Sequence, residues 1–351
     1  MSIDAAIPLK ASESFNLDLL NEYLLAHVPS IEKIIEVKRF PGGYSNTTYC
    51  LRTAQKELVL RMPPAGAQIQ SAHDMAREFR VLSLLEPHYK KIPHPIYYCA
   101  EDTLLGAPFY IMERIQGVIL RAGNAPGMQL SSDIMQEVSV ALVDNLVALH
   151  AIDIETTDLI QLGKPDGYTA RQVTGWIKRY QTAATDTIES MNQIADWLTK
   201  NQPPTLSPTL LHNDYKYDNL ILDPNHLASI IGVLDWEMAT VGNPLMDLGA
   251  TLAYWFEEGE APVLKHYNLT WLAGNLTRKE LANRYANKTG RDLQNIVFYY
   301  VFGLFKNAVI IQQIYHRWKQ GKSTDQRFGA LLPIIHIMGN MAIKALEKDS
   351  I

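Results

Sequence analysis

Cysteine is nearly absent: Cys50 and Cys99 are the only two in 351 residues. Two thiols cannot build a disulfide framework, so a small disulfide-stapled scaffold is excluded and a reducing compartment is expected. Positive charge is not in excess either. Thirty-two Lys and Arg against 37 Asp and Glu give a net charge of -5, so no chain-wide basic field awaits a nucleic acid. Long apolar runs are missing too. The longest, Ile296 to Phe305, is half a membrane span and is followed at once by Lys306 and Asn307, so no transmembrane helix is expected. Asp4, Pro8 and Lys10 stand where a secretory leader needs its apolar core. Repeats at solenoid or propeller spacing and low-complexity segments are also lacking. With 47% hydrophobic and 20% charged residues the chain has the balance of a folded globule. A cytoplasmic protein is expected, with neither nucleic acid nor membrane as partner; composition says nothing of its oligomeric state.

At 351 residues the chain exceeds the usual single core, so two lobes are expected. Leu17, Leu20 and Leu24 mark a helix over Ser14–His27, with Asn16 available as N-cap. Extended segments follow at Ile34–Phe40, Asn46–Thr53 and Glu57–Met62, joined by short loops as in an antiparallel meander. A helix over Ala72–Leu85 and strands at Ile96–Ala100 and Phe109–Met112 complete a five-stranded unit with one main helix. Beyond it the patterns are helical: Asp133–His150, Trp176–Lys200, and at least three helices within Leu281–Glu347. The expected division is a first lobe over 1–112, a short connection over 113–117, and a second lobe over 118–351.

Chemistry concentrates between Leu210 and Asp247. His212-Asn213-Asp214-Tyr215-Lys216-Tyr217-Asp218-Asn219 runs into the apolar Leu220-Ile221-Leu222. The turn Asp223-Pro224-Asn225-His226 then leads to Ser229–Leu234 and to Asp235-Trp236-Glu237. Antiparallel strands of similar length would set Asn219 and Asp235 side by side at the hairpin mouth. An amide oxygen and a carboxylate are hard ligands suited to Mg²⁺ that bridges phosphates. Asp214 would accept or orient a proton from a substrate hydroxyl, and Lys216 would offset phosphoryl charge. His-x-Asp-x-x-x-x-Asn followed by a strand-terminal Asp is the pattern of kinase catalytic and metal-binding loops.

The segment resembles the aminoglycoside phosphotransferase and choline kinase-like family, in the branch similar to kinase domains fused to acyl-CoA dehydrogenases. Phe40–Asn46, Leu58–Pro64, Arg77–Leu82, Gly106–Arg114 and Asp235-Trp236-Glu237 carry the resemblance over roughly Ile34 to Leu346. It implies an α+β, bilobal protein-kinase-like fold whose mostly helical second lobe carries the catalytic hairpin. It also implies an ATP- and Mg²⁺-dependent transfer to a small-molecule hydroxyl, the acceptor being of hydroxyacyl-CoA or of amino-alcohol and aminoglycoside type. By the resemblance Asp214 is the base, Asn219 and Asp235 hold the metal, and Asp247 braces the catalytic loop. Asn213 stands where the family has glycine, and Asn243 where aspartate is common.

The nucleotide end is less regular. Gly42-Gly43-Tyr44-Ser45-Asn46 could close its backbone over phosphates at Gly43 and Ser45, but it lacks the spaced glycines of a protein kinase. Arg61 stands where the wider fold has lysine; a guanidinium holds phosphates by a fork rather than a point charge. Glu78 on the following helix is its natural partner, and Glu113 and Ile115 in the connection would offer backbone groups to adenine. Two other readings stay open: a nucleotide-binding module with little or no turnover, and a protein kinase, against which the missing Ala-Pro-Glu segment counts. Gly321-Lys322-Ser323 is no P-loop, because His316 occupies the first glycine position and a helix precedes it. His88 and His94 lack metal-ligand spacing. Glu257, Glu258 and Glu260 read as a solvated acidic turn.

Overall fold

The computed structural model describes residues 5–9, 16–41, 46–64, 74–101, 103–122, 128–323 and 325–351. Their contacts divide the chain into two compact units, Met1–Ile119 with Leu220–Met238, and Leu120–Asn219 with Ala239–Ile351. This division differs from a linear one at the hinge, because the hairpin groups with the N-terminal unit.

The first unit is built on an antiparallel sheet. Strand β1 is Ile7–Pro8, β2 Glu36–Arg39, β3 Thr47–Arg52, β4 Glu57–Met62, β5 Pro95–Cys99 and β6 Phe109–Glu113. Their order is β1-β2-β3-β4-β6-β5. Six strands replace the five expected. The extra one is a two-residue edge strand, Ile7 opposite Arg39 and Pro8 opposite Lys38, too short to show alternation in sequence; at an edge, proline's missing donor is tolerated. Alternation splits β4 as expected. Leu58, Leu60 and Met62 enter a core with Leu20 and Leu24 of helix α1 (Leu17–His27), Leu51, Phe109 and Ile111. Asn16 caps α1 by accepting from the Leu19 N–H. Buried Asn21 ties α1 to the sheet, its amide exchanging two hydrogen bonds with the Ile34 backbone. Helix α2 (Met75–Leu85), capped by Asp74, contributes Glu78 and Arg77.

The hairpin of this unit pairs β8 (Leu220–Asp223) with β9 (His226–Val233). Asp223 opposes His226, so the loop is Pro224-Asn225 alone, tighter than the four-residue turn expected. Leu220 opposes Val233. Packing is close here: a Cβ on Gly232 would meet the Ile115 side chain at 2.9 Å.

The second unit is mostly helical. It comprises α3 (Ser132–His150), α4 (Tyr168–Ala183), α5 (Glu189–Lys200), α6 (Pro244–Ala253), α7 (Arg278–Thr289), α8 (Ile296–Lys319) and α9 (Leu332–Lys348). Strand β7 (Thr209–Leu211) pairs with β10 (Thr240–Gly242). The single helix expected over Trp176–Lys200 is two. The chain leaves helical geometry at Ala184 (ψ 128°), where buried Gln312 takes the Ala183 carbonyl at 2.9 Å and Thr185 bonds Asp186 locally. At the crossing of α6 and α8 the backbones nearly touch: a Cβ on Gly303 would lie 2.3 Å from the Gly249 carbonyl oxygen.

Two helical stretches, Ile296–Lys319 and Gln326–Lys348, are long and apolar enough to cross a membrane, although no uninterrupted run reveals it. The first is 78% buried inside the protein, as a core helix is. Gly321 follows α8 at φ 71°, ending a helix rather than opening one. Of the acidic turn, Glu257 and Glu260 pair with Arg278 and Glu258 with Lys265, so most of it is compensated rather than simply solvated.

Candidate active site

In the first unit, one guanidinium gathers three carboxylates. Strand β4 points Arg61 away from the leucine core. Its Nε lies 3.3 Å from Glu78 Oε2, and its Nη2 lies 2.6 Å from Asp235 Oδ1 and 3.2 Å from Glu237 Oε2. Glu78 and Arg61 are thus together as the sequence suggests, though poorly aligned, since neither Nε nor Oε2 completes a hydrogen bond. The Asp235 and Glu237 contacts were not foreseen. Asn46 donates to Glu237 Oε2 at 3.0 Å and Arg77 to the Glu237 carbonyl at 2.5 Å, so the residue before β3, strand β4 and helix α2 all hold the Asp235–Glu237 corner. Asp235 adopts φ 68°, a left-handed conformation uncommon outside glycine and tolerated by aspartate.

Burial pushes the Glu78 carboxyl up despite Arg61 beside it. Burial opposes charge on Arg61, but Glu78 and Asp235 outweigh it and the guanidinium stays protonated. Burial likewise raises the Tyr110 phenol, which borders Glu78.

At the end of β6 the Glu113 N–H is taken by the His94 carbonyl at 2.9 Å, and the Arg114 N–H faces the Glu57 carbonyl. Ile115 has neither its N–H nor its carbonyl bonded among the described residues. Of the residues expected to meet adenine, Ile115 therefore keeps a free donor and Glu113 does not. Gly43 and Ser45 lie outside the described residues.

In the second unit, β7 delivers His212 into a loop gripped from below. Asp247, fully buried on the first turns of α6, accepts the His212 N–H through Oδ2 and the Asn213 N–H through Oδ1, both at 2.7 Å. Buried His150 reaches Asp247 Oδ2 at 3.1 Å and Tyr285 at 2.7 Å through its other nitrogen. Burial would raise the Asp247 carboxyl, but His150 and the loop amides hold it below the usual range. The brace expected of Asp247 is therefore made through backbone donors. Asn243 caps α6 by accepting from the Leu245 N–H at 3.0 Å, with Pro244 at the first helical position.

Asn213 takes φ 65°. Glycine enters that region freely and asparagine is among the few side chains that tolerate it, which accounts for the exchange at this position. Asp214 follows. Lys216 Nζ lies 2.9 Å from Asp214 Oδ1, and the Asn219 amide donates to both the Asp214 carbonyl and Oδ2 at 2.9 Å. Burial opposes ionisation of Asp214, but Lys216 and Tyr254 keep the carboxyl below its ordinary value. The Lys216 ammonium sits 4.4 Å from the Tyr254 ring centroid and is held protonated by Asp214 against burial. The Asn219 side-chain oxygen carries no bond among the described residues.

Within its unit each site is coherent: Asp214, Lys216 and Asn219 in one, Arg61, Glu78 and Asp235 in the other. Sequence reasoning missed Tyr254, His150, Tyr285, Glu237 and Lys306. A lysine and an asparagine inside the apolar pattern of α8 were the available signal for Lys306.

The sequence profile described as "phosphotransferase enzyme family" matches residues 36–281. Human acyl-CoA dehydrogenase family member 11 is 33% identical over 310 residues, 88% of this chain and 39% of that protein. Mouse acyl-CoA dehydrogenase family member 10 is 32% identical over 333 residues, 93% of this chain and 30% of that one. The chain thus spans less than half the length of these relatives. Among solved structures, a Ralstonia eutropha protein named after the aminoglycoside phosphotransferases superposes with TM-score 0.78 at 27% identity, covering 94% of this chain and 99% of that one. Choline kinase of Cryptosporidium parvum gives 0.61 at 14% identity, covering 92% and 99%. At that identity it shares the kinase-like fold alone.

Proposed function

The chain belongs to the phosphotransferase enzyme family, and from there we propose that it moves the γ-phosphoryl group of ATP to a hydroxyl of a small molecule, with Mg²⁺. The observation that carries this reading is Asp214: 14% exposed, ionised, and steadied at each oxygen by Lys216 and Asn219. Each carboxylate oxygen keeps a second lone pair for an incoming O–H. The acceptor hydroxyl gives its proton to Asp214 as its oxygen bonds to the γ-phosphorus, and ADP leaves with the electrons of the broken P–O bond. Lys216 offsets charge on the transferred group. Such catalysis is positioning and electrostatics more than covalent chemistry.

The donor set fits a hard cation. Asn219 spends its N–H₂ group on Asp214 and keeps its amide oxygen, and Asp235 keeps Oδ2 while Oδ1 faces Arg61. We assign Asn219 and Asp235 to hold Mg²⁺, which when bound neutralises phosphate charge. Arg61 would fork onto the phosphates with Glu78 steadying it, and the Ile115 backbone would read the base beside Glu113. In this reading the first lobe takes the nucleotide, the 113–117 connection is the hinge and the second lobe takes the acceptor. Two buried, unpaired cysteines accord with a cytoplasmic setting.

Family membership leaves the acceptor class open between hydroxyacyl-CoA and amino-alcohol or aminoglycoside types. The relatives' names favour the first. One observation favours the rival of a binding module with little turnover: the 2.6 Å contact that occupies Asp235 Oδ1 with Arg61. ADP release measured across hydroxyacyl-CoAs, amino alcohols and aminoglycosides separates these readings. Acceptor-dependent release is expected. Calorimetric MgATP binding with no release for any acceptor would leave the module reading standing.

A further inference from the structure

Helix α8 is apolar and buried through its middle except at Lys306 and Asn307. Lys306 is 3% exposed, an expensive place for an ammonium unless it has work there. Its Nζ donates to the Asn213 carbonyl at 2.6 Å, and the Trp176 ring centroid of α4 lies 5.8 Å from it. That carbonyl belongs to the peptide joining Asn213 to Asp214. Asn213 is already held by its N–H on Asp247 and by its side-chain oxygen, which accepts from Tyr168 at 3.2 Å. Lys306 grips the carbonyl side of the peptide leading to Asp214, whose N–H donates to His212 Nδ1 at 3.2 Å.

We propose that Lys306 is a positioning residue of the phosphotransfer site: its ammonium fixes the Asn213–Asp214 peptide and so aims the Asp214 carboxylate at the acceptor. The inference rests on the function proposed above. Asn213 sits at φ 65°, where the backbone does not hold itself, so an anchor on its carbonyl has a clear purpose.

The charges facing Lys306 are Asp214 and Lys216 of the loop and Asp247 of α6. Burial outweighs the two carboxylates, and the ammonium is pushed down to about 8. The protonated form makes the charge-assisted bond, so turnover is present below that pH and falls as pH rises through it. Stability moves the other way. The folded state favours neutral Lys306, so the unfolded chain binds more protons between about 8 and 10.5, and stability rises across that window. Alkaline loss of turnover without loss of stability is therefore the signature.

The test compares wild type, Lys306→Met and Lys306→Gln by ADP release from MgATP with water as acceptor, MgATP affinity by calorimetry, and thermal melting, from neutral to alkaline pH. Lys306→Met should lower turnover about tenfold or more with affinity within about twofold and no fall in melting temperature. Lys306→Gln, an uncharged donor on a shorter arm, should recover part of the turnover and lose the alkaline limb. Wild-type turnover in Lys306→Met, an affinity loss matching the turnover loss, or an alkaline limb surviving in Lys306→Gln overturns the proposal. If Lys306→Met does not fold, the limb in Lys306→Gln decides alone. If wild type releases no ADP with water or with any hydroxyacyl-CoA, amino alcohol or aminoglycoside, the phosphotransfer reading falls instead, and hydrogen exchange at His212–Asp214 decides: about tenfold faster in either folded variant supports the anchor, unchanged exchange removes it.

Discussion

Arg61 of the first unit and Lys306 of the second are both largely withdrawn from solvent and are held in opposite ways. Arg61 lies among Glu78, Asp235 and Glu237; Lys306 has one carbonyl and an indole face. The first arrangement over-compensates a group that never loses its proton; the second under-compensates one that can. A surplus of carboxylates suits a place where further positive charge must enter, whereas a lone ammonium suits a fixed anchor sensitive to pH.

The contrast breaks first at Asp214, the proposed proton acceptor. Asp214→Ala should lower turnover by about 10²–10⁴-fold, the usual worth of a positioned proton acceptor, with MgATP affinity nearly intact. A matching loss of affinity would reassign Asp214 to the nucleotide.

Arg61→Ala should be the most costly change to the fold. It strands Glu78 at 2% exposure, and breaking a buried pair by removing one partner costs about 3–5 kcal/mol. Arg61→Lys keeps the charge without the fork and should fall between. Denaturant unfolding reads both, and an Arg61→Ala protein as stable as wild type would show that Glu78 needs no partner.

A packing change can be made one turn along α8 from Lys306. Gly303→Ala forces its methyl against the Gly249 carbonyl and should cost about 1–3 kcal/mol by overpacking, seen as a lower midpoint with unchanged MgATP affinity.

The smallest effect is in the sign of pH dependence. The raised Glu78 carboxyl contributes stability that is present below its unfolded value and lost as pH rises through its folded one. Asp214 and Asp247, both lowered, contribute stability present above the unfolded carboxylate value and lost as pH falls through their folded ones. Mild acidification should therefore favour the Glu78 contribution before strong acid removes the others. Glu78→Gln should flatten only the first limb in pH-dependent melting; an unchanged limb would place its origin elsewhere.

What sequence revealed of this molecule was whatever is local. Alternation in Leu58–Met62 assigned Arg61 its face, the spacing from Asp214 to Asn219 assembled the loop, and Asn243-Pro244 marked a helix start. Partnerships set by the register of distant segments stayed hidden. Arg61 and Asp235 are 174 residues apart, Lys306 and Asn213 are 93, and no period links them. The break between α4 and α5 was missed because Gln312, far along the chain, takes the carbonyl that would have continued the helix. Strand β1 was missed because two residues carry no pattern.

The grouping of Leu220–Met238 with the first 119 residues bears on synthesis. The ribosome must deliver a further 119 residues before the N-terminal unit can receive its hairpin, a wait of about 6–24 s at bacterial-to-eukaryotic elongation rates of about 5–20 residues per second. For that interval the Ile115 face against which Gly232 will pack is apolar surface without its cover. The nascent chain is then a client for a holding chaperone, and a fragment ending at Ile119 is a poor choice for expression by itself.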